Sequence, residues 1–324
     1  MQAFRTAAAV VDGLPEDQLD LKIRTGTLKD LKGVGPKTAT VIVQAHKGQV
    51  PEYLTKLEED LAELVPMADD VAEFRAALKG DLHLHSDWSD GGSPIREMAE
   101  AAMALGHEYM ALTDHSPRLT VANGLSPARL EQQLDVVAAL NEELAPFRIL
   151  TGIECDIDVD GSLDQTEELL GRLDVVVASV HSDLRADSTA MTERMLAAVA
   201  NPHADVLGHC TGRLVIGRRQ RNGEQKPRPE STFDAEAVFA ACVEFGTAVE
   251  INSRPERLDP PRRLLTLANE LGCEFAIDTD AHAPGQLSLL DYGAARAEAA
   301  GVPTERIVTT WPLVRLREWL ARDR

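Results

Sequence analysis

The sequence has few aromatic residues and no long apolar run. Of its 324 residues only 4% are aromatic, although 44% are hydrophobic, which is enough for a sizeable core. No apolar run approaches the roughly 20 residues that a membrane-spanning helix requires. The first residues lack the charged-then-apolar order of a signal peptide. We therefore expect a globular protein of the cytoplasm with no membrane partner.

Cysteine is equally scarce. The four cysteines, Cys155, Cys210, Cys242 and Cys273, are dispersed along the chain, and no two of them form a Cys-x-x-Cys pair. This spacing argues against a disulfide scaffold and against a zinc site built from thiolates. It suits a reducing compartment, in agreement with the expected cytoplasmic location.

Basic residues are outnumbered, since 33 Lys and Arg against 53 Asp and Glu give a net charge of −20. Such a charge disfavours nonspecific binding of nucleic acid by the chain as a whole. Residues 21–50 and 213–228 depart from this pattern, because each segment holds six basic residues and one acid. Either segment alone could be a solvated face. Two basic islands on an acidic chain instead indicate contact with an anionic partner.

A glycine-rich turn lies within the first of these islands. Helices are predicted at 4–14 and 19–24, followed by an N-cap at Thr27. Gly33-Val34-Gly35 predicts a tight hairpin, and Pro36 suits the first turn of the next helix. The backbone N–H groups at that helix start can bind an anion. A plain connection between two helices would need the same glycines.

The string from Thr27 to Ile42 resembles a helix-hairpin-helix element, which grips a DNA backbone without reading its sequence. The resemblance implies DNA contacts by Gly33, Val34, Gly35, Lys37 and Thr38.

Residues 2–54 as a whole resemble the small N-terminal domain of family X DNA polymerases, and they start abruptly, as though a helix preceded them. Val41 stands where that family has the lysine that forms a Schiff base with an abasic sugar, so lyase activity is not expected.

From residue 80 the chain alternates short apolar runs with helical patterns. Strands are predicted at 81–85, 108–113, 148–153, 174–180, 205–209, 247–251 and 274–279. Helices are predicted at 93–106, 126–145, 189–200, 233–245, 260–272, after 285 and at 312–322. Seven such units predict an α/β fold, a parallel barrel. We expect a small all-α domain at 1–60, an acidic helical linker at 61–79 and the barrel domain at 80–324.

Metal-ligand residues follow nearly every predicted strand. His83 and His85 are two residues apart on a strand, so both imidazoles face the same side. Six of the nine histidines occupy such strand ends, where parallel barrels gather their chemistry. A single buried histidine is usually a hydrogen-bonded core residue, but six in corresponding positions indicate a metal site.

The motifs His-x-His, Thr-Asp-His-Ser, Gly-x-Glu, Ser-Val-His, Gly-His and Asp-x-His, in this order, resemble the polymerase and histidinol phosphatase (PHP) superfamily. The resemblance implies a distorted (β/α)7 TIM-like barrel with a site for three divalent ions. One ion would be held by His83, His85, Glu154 and Asp280; the second by Glu154, His181 and His209; the third by Asp90, His115 and His282. Imidazole and carboxylate ligands suit Mn²⁺, Zn²⁺ or Fe²⁺ alike.

Two further segments, 211–219 and 250–259, resemble the PHP domain of bacterial family X polymerases. Residues predicted to contact phosphate or DNA in these segments are Arg213, Arg218, Arg219, Asn252, Arg254 and Arg257. Arg254 follows the sixth strand, where a guanidinium can bind two phosphate oxygens at once. The alternative is ordinary solvation of these arginines.

These features predict a metal-dependent phosphodiesterase that acts on DNA, as a 3′→5′ exonuclease or 3′-end processing enzyme in repair. Two ions sharing Glu154 would hold a bridging hydroxide, and catalysis would depend on Glu154, Asp280 and Arg254. A separate repair polymerase is an expected partner. One alternative is a small-molecule phosphomonoesterase of the histidinol phosphatase type. Another is a noncatalytic DNA-binding protein with a vestigial barrel.

Overall fold

The computed structural model describes residues 2–65, 71–219 and 225–322. The chain forms two compact units, Met1–Pro66 and Met67–Arg324. The first unit is all α-helical, and the second is built around a parallel sheet.

The N-terminal unit has a small core. Its helices are α1 (Gln2–Asp12), α2 (Glu16–Thr25), α3 (Pro36–His46) and α4 (Glu52–Leu64). The buried residues of its core cluster are Ala7, Leu28, Val34 and Ala39. Val34 lies in the hairpin itself, so the turn is anchored by its own side chain in the core of the unit.

Backbone geometry explains both glycines of the hairpin. Gly33 has a φ of +101°, which side-chain-bearing residues rarely adopt. Gly35 is the residue before α3, and its N–H donates to Thr38 Oγ1 at 2.9 Å. Thr38 thereby supplies half of a capping box.

The prediction of a capped helix directly before the hairpin is wrong. Only a 3-10 turn, Leu28–Asp30, precedes it, and Thr27 makes no side-chain cap. The hydroxyl of Thr27 lies 2.8 Å from that of Thr25 instead.

The second unit begins with α5 (Val71–Ala77) and continues as a barrel. Its sheet strands are β1 (Gly80–Leu84), β2 (Tyr109–Leu112), β3 (Arg148–Asp156), β4 (Val175–Ser179), β5 (Val206–Leu207), β8 (Ala248–Asn252) and β9 (Phe275–Asp278). Within the described residues these seven pair in that order, all in parallel. A bridge between Leu84 and Ala281 links the two end strands. The predicted parallel (β/α)7 barrel is confirmed.

Helices connect the strands. They are α6 (Ile95–Ala104), α7 (Pro127–Glu143), α8 (Glu167–Leu170), α9 (Ser188–Val199), α10 (Ala235–Phe245), α11 (Arg262–Leu271), α12 (Leu290–Ala299) and α13 (Leu313–Leu320). The short α8 was not predicted, whereas the others match the predicted helical patterns. Among the described residues, no helix is long and apolar enough to span a membrane.

An antiparallel hairpin, β6 (Leu214–Arg219) with β7 (Gln225–Arg228), lies between β5 and β8 in the chain. It contains the second basic island and was not predicted as a pair of strands. Residues 220–224, between its strands, and the side chains of Arg218 and Arg219 lie outside the described part.

The barrel interior is apolar at the end opposite the C-terminal ends of the strands. One core cluster takes residues from all seven sheet strands, including Leu82, Leu150 and Val206. Trp311 and Leu316 from the C-terminal segment pack in the same cluster. Two further clusters lie between the strands and the surrounding helices. This packing leaves the other end of the barrel interior for polar side chains.

Candidate metal centre

Polar side chains lie at the C-terminal ends of several sheet strands or just beyond them. On β3 the residue Leu150 belongs to the apolar interior, and Glu154 lies four positions further on the same face. Val177 and His181 are related in the same way across the end of β4. The alternation that builds the barrel core therefore also aims the ligand-type residues inwards.

All nine predicted ligands meet at this end. Their nitrogen and oxygen atoms form four overlapping groups in which every ligand atom lies within 4.8 Å of the others. The groups are His83–His85–Asp280, His83–Glu154–His209, His115–Glu154–His181 and His85–Asp90–His115–His282. The sequence had assigned the same residues to three sets. The set of Asp90, His115 and His282 lies within one of these groups, whereas each of the other two predicted sets is divided between groups.

Glu154 lies at the centre of the cluster and is 1% exposed. Its Oε1 atom lies 2.9 Å from His209 Nε2 and 3.3 Å from His181 Nε2. Its Oε2 atom lies 2.8 Å from His115 Nδ1 and 3.4 Å from His83 Nε2. Both carboxylate oxygens therefore face imidazoles, as a carboxylate shared between ions requires.

The remaining predicted ligands extend towards solvent. His85 Nε2 lies 3.5 Å from Asp280 Oδ1, and both residues are buried. Asp90 Oδ1 lies 3.3 Å from His282 Nε2 and 3.5 Å from His115 Nε2. The Asp90 side chain is 38% exposed. The site thus opens to solvent on the side of Asp90.

Several buried atoms of the cluster have no hydrogen-bond partner among the described residues. They include Nε2 of His83, both ring nitrogens of His85, and both carboxylate oxygens of Glu154. The imidazoles approach Glu154 closely without forming hydrogen bonds. A buried carboxylate left in this state would be costly, whereas a bound cation would satisfy it. The residues present therefore fit divalent metal ions.

Two carboxylates among the predicted ligands are held ionised. Burial opposes the charge of Glu154, but the imidazoles of His83 and His181 hold its pKa well below the usual value. Burial likewise opposes the charge of Asp280, and Arg254 and Arg257 hold its pKa well below the usual value. Both carboxylates are thus anions over the physiological pH range, the form that binds cations.

Other buried carboxylates orient the ligand imidazoles. Glu250 Oε1 lies 2.6 Å from His83 Nδ1, and Asp156 Oδ1 contacts His181 Nδ1. In both cases Nε2 of the ring is left facing Glu154. Sequence reasoning missed these two roles. The signal was present, because Asp156 follows Glu154 by two strand positions and Glu250 is a charged residue within the apolar strand β8.

Asp114 organises the segment that leads to Asp90. Its oxygens accept from Ser86 N at 2.9 Å, Ser86 Oγ at 2.6 Å, Ser89 Oγ at 2.5 Å and Gln133 Nε2 at 2.7 Å. These bonds join the end of β2, the loop after β1 and α7. The loop that presents Asp90 is therefore held by a buried carboxylate that sequence reasoning also missed.

Two of the predicted phosphate-binding arginines contact Asp280, which is one of the predicted metal ligands. Arg254 Nη1 lies 3.5 Å from Asp280 Oδ1, and Arg257 Nε lies 3.1 Å from Asp280 Oδ2. Asn252 Nδ2 lies 3.4 Å from Asp280 Oδ2. The structure thus brings Asn252, Arg254 and Arg257 to the metal-ligand cluster.

The other predicted DNA contacts lie elsewhere. Arg213 donates from Nε to the carbonyl of Arg257 at 3.0 Å and from Nη2 to that of Leu258. These bonds occupy much of its guanidinium. Gly33, Val34, Gly35, Lys37 and Thr38 all belong to the N-terminal unit.

The fold and this cluster define a β/α-barrel with a metal-binding active centre. In agreement, the family model described as PHP domain matches residues 81–254, more than half of the chain. The chain belongs to the PHP family and is a metal-dependent phosphoesterase.

Relatives of two kinds are similar to the chain. A Bacillus subtilis protein named DNA polymerase/3'-5' exonuclease PolX is 38% identical over 280 residues, which cover 86% of this chain and 47% of that protein. This chain thus spans about half the length of that relative. A probable phosphatase of a Thermoanaerobacter species is 28% identical, over 74% of this chain and 93% of its own length.

Among solved structures, histidinol phosphate phosphatase from Lactococcus lactis, complexed with zinc, L-histidinol and phosphate, is 20% identical. Its match covers 69% of this chain and 94% of that one, with a TM-score of 0.46.

Proposed function

We propose that the protein hydrolyses phosphodiester bonds in DNA from the 3′ end, as an exonuclease or 3′-end processing enzyme in repair. The observation that carries the hydrolytic part is the nine-residue cluster, in which buried atoms of His83, His85 and Glu154 have no hydrogen-bond partner among the described residues. The choice of DNA is supported by the arginines at Asp280, by the basic hairpin, and by similarity to a relative named for 3′–5′ exonuclease activity.

Three divalent ions would be held by the nine residues in the sets expected from the sequence, with Glu154 shared between two sets. Mn²⁺, Zn²⁺ and Fe²⁺ all suit these ligands. When bound, the ions supply positive charge next to the phosphate and lower the pKa of a coordinated water. Glu250 and Asp156 would keep His83 and His181 oriented towards Glu154.

Arg254 and Arg257 would bind phosphate oxygens of the substrate. Their side chains are only 16% and 14% exposed, so water screens their charges weakly. The contact with Asp280 also restrains each guanidinium group in its position beside the metal-ligand cluster. Asn252 would add a hydrogen-bond donor beside them. In this arrangement the arginines orient the phosphate and stabilise the charge that develops on it.

The N-terminal unit would bind the DNA backbone through the 33–38 hairpin, without sequence preference. Two of the hairpin amides are already used within the protein, since Val34 N donates to Leu31 O and Gly35 N donates to Thr38 Oγ1. Lys37 lies at the start of α3, and its ammonium group lies 5.0 Å from the centre of the Tyr53 ring. We therefore assign most of the DNA affinity of this hairpin to Lys37 and the amides of the first α3 turn. A separate repair polymerase is the proposed partner.

The second candidate is a phosphomonoesterase that acts on a small molecule, of the histidinol phosphatase type. It is favoured by the probable phosphatase, whose length the match covers almost entirely. This reading uses the same metal centre but gives the N-terminal unit no role.

The test is hydrolysis by protein loaded in parallel with Mn²⁺, Zn²⁺ or Fe²⁺. One substrate is a 3′-recessed DNA duplex labelled at one 5′ end, and the other is histidinol phosphate. We expect a ladder that shortens from the 3′ end and that disappears with His83→Ala. Gly285→Ala is the matched control, because no atom lies within 4 Å of the added methyl group.

Release of phosphate from histidinol phosphate with intact DNA would replace the proposal with the second candidate. Inactivity on both substrates with every metal would leave the vestigial-barrel alternative.

A further inference from the structure

The β6–β7 hairpin is bonded to the loop that carries the two active-site arginines. Val215 N donates to Glu256 O at 2.8 Å, and Ile216 N approaches the same oxygen at 3.3 Å. Both donors belong to β6. The carbonyl of Glu256 is therefore fixed by the base of the hairpin.

The side chain of the same residue holds Arg254. Glu256 Oε1 lies 2.9 Å from Arg254 Nε and 2.8 Å from Arg254 Nη2. The remaining nitrogen, Nη1, faces Asp280 at 3.5 Å. One residue thus connects the hairpin, through its backbone, with an arginine at the metal-ligand cluster, through its carboxylate.

A second connection runs beside the first. Arg213, the residue before β6, donates from Nε to the carbonyl of Arg257 and from Nη2 to that of Leu258. Arg257 in turn contacts Asp280. Leu258 has a φ of +48°, a strained conformation for a leucine. The bonds from Arg213 help to hold the loop in this conformation.

We propose that the β6–β7 hairpin is a positioning element for the reaction, which acts through Glu256 on Arg254 and through Arg213 on Arg257. A DNA strand that contacts the basic hairpin would therefore influence the positions of the two arginines beside Asp280. Lys226 on β7 is exposed and available for such a strand. This inference rests on the proposed phosphodiesterase function.

Gly217 offers a way to disturb the hairpin without touching the metal ligands. A Cβ atom at this position would lie 1.6 Å from the carbonyl oxygen of Lys226, so Gly217→Val must push β6 and β7 apart. We expect kcat to fall about tenfold on DNA and on bis(4-nitrophenyl) phosphate, with the metal content unchanged. Gly285→Ala serves as the matched control and should behave like the wild type.

A double-mutant cycle separates positioning from a general structural effect. In an Arg254→Ala background the hairpin has lost one of the two arginines it positions. Gly217→Val should therefore cost much less kcat on the small diester in that background than in the wild type, about threefold or less. If the two losses multiply, the hairpin does not act through Arg254 and the inference is overturned.

Glu256 gives an independent measurement should Gly217→Val fail to fold. Glu256→Ala should lower kcat about tenfold on both substrates, because Arg254 loses its anchor. Glu256→Gln, which keeps an oxygen acceptor, should recover part of the loss. Equal kcat values for wild type and Glu256→Ala would overturn the inference.

The two proposals fail differently. A wild-type protein that leaves DNA and the small diester intact would overturn the proposed function itself. A wild type that is active, but in which the losses from Gly217→Val and Arg254→Ala multiply, would overturn only the role of the hairpin.

Discussion

The two units differ in what they bury. In the described part of the N-terminal unit, Thr38 is the only polar side chain that is fully buried, and the core is apolar. The barrel unit buries histidines, aspartates and glutamates in and just beyond its strands, among them His83, Glu154 and Glu250. Burying such groups is unfavourable unless something compensates their charge. The difference indicates that the barrel is built around a ligand and that the N-terminal unit offers mainly its surface.

The largest effect should come from a ligand at the barrel end. Asp280→Asn removes the negative charge of a carboxylate that Arg254 and Arg257 keep ionised. We expect kcat on DNA to fall by at least about a thousandfold, since metal charge contributes several kcal/mol to such reactions. Steady-state kinetics on the labelled duplex would measure it.

Circular dichroism should meanwhile show the folded helical content of both units retained in this variant. A loss of less than about tenfold in kcat would mean that the chemistry lies elsewhere.

Metal removal should affect the stability of the barrel unit alone. All three tryptophans, Trp88, Trp311 and Trp319, belong to it, so tryptophan fluorescence reports on that unit. Ions present at a thousandfold excess over their dissociation constant stabilise a folded unit by about 4 kcal/mol. We therefore expect chelation to lower the unfolding temperature seen by tryptophan fluorescence. An unchanged transition would show that the buried carboxylates need no cation.

Acid should also destabilise the barrel unit. Burial, and then Arg75, lower the pKa of His107 from 6.5 to about 4. At pH 7 the His107 side chain is neutral in both the folded and the unfolded protein. As the pH falls below 6.5, His107 is protonated in the unfolded chain before it is protonated in the folded one. Stability therefore falls between pH 6.5 and 4, by about 3 kcal/mol in total from this residue.

The variant His107→Leu has no titratable group at this position. Between pH 6.5 and 4 its free energy of unfolding should therefore fall by about 3 kcal/mol less than that of the wild type. Urea unfolding of both proteins at several pH values measures the difference, and parallel curves would refute it.

The smallest effect concerns the hairpin of the N-terminal unit. In Gly33→Ala the backbone would remain at a φ of +101°, and the new Cβ would meet Thr6 Cγ2 at 2.7 Å. We expect a stability loss of about 1–2 kcal/mol in this unit. The KM for DNA should rise several-fold, with no change for histidinol phosphate or a small diester.

Gly48→Ala is the matched control for this variant, because Gly48 also has a positive φ but an added methyl group would contact nothing. If Gly33→Ala and Gly48→Ala bind DNA equally well, the hairpin has no special role.

Much of the barrel could be predicted from local patterns. Apolar runs of strand length, separated by helical periodicity, located the sheet strands to within a few residues. The position of His83, His85 and Glu154 at strand ends followed from the two-residue period of strands. A parallel barrel brings such ends together whatever the details of packing. The nine-residue cluster could therefore be recognised from the amino-acid sequence.

What escaped prediction depends on contacts between distant segments. The β6–β7 pairing is hidden because Gly217 and the basic residues interrupt the usual alternation. Glu250 and Asp156 are ordinary strand carboxylates until the fold places His83 and His181 against them. The link from β6 through Glu256 to Arg254 likewise has no local signature. Sequence patterns reveal which side chains share a face but not which of them become partners.

The most direct test of the account is the number of metal ions bound per chain. Native mass spectrometry, with elemental analysis of the same sample, would count them in the wild type and in Asp90→Ala. We predict three ions in the wild type and two in the variant, because Asp90 belongs only to the solvent-facing group. A wild-type chain that binds no ion, or one whose count is unchanged by Asp90→Ala, would contradict the proposed centre.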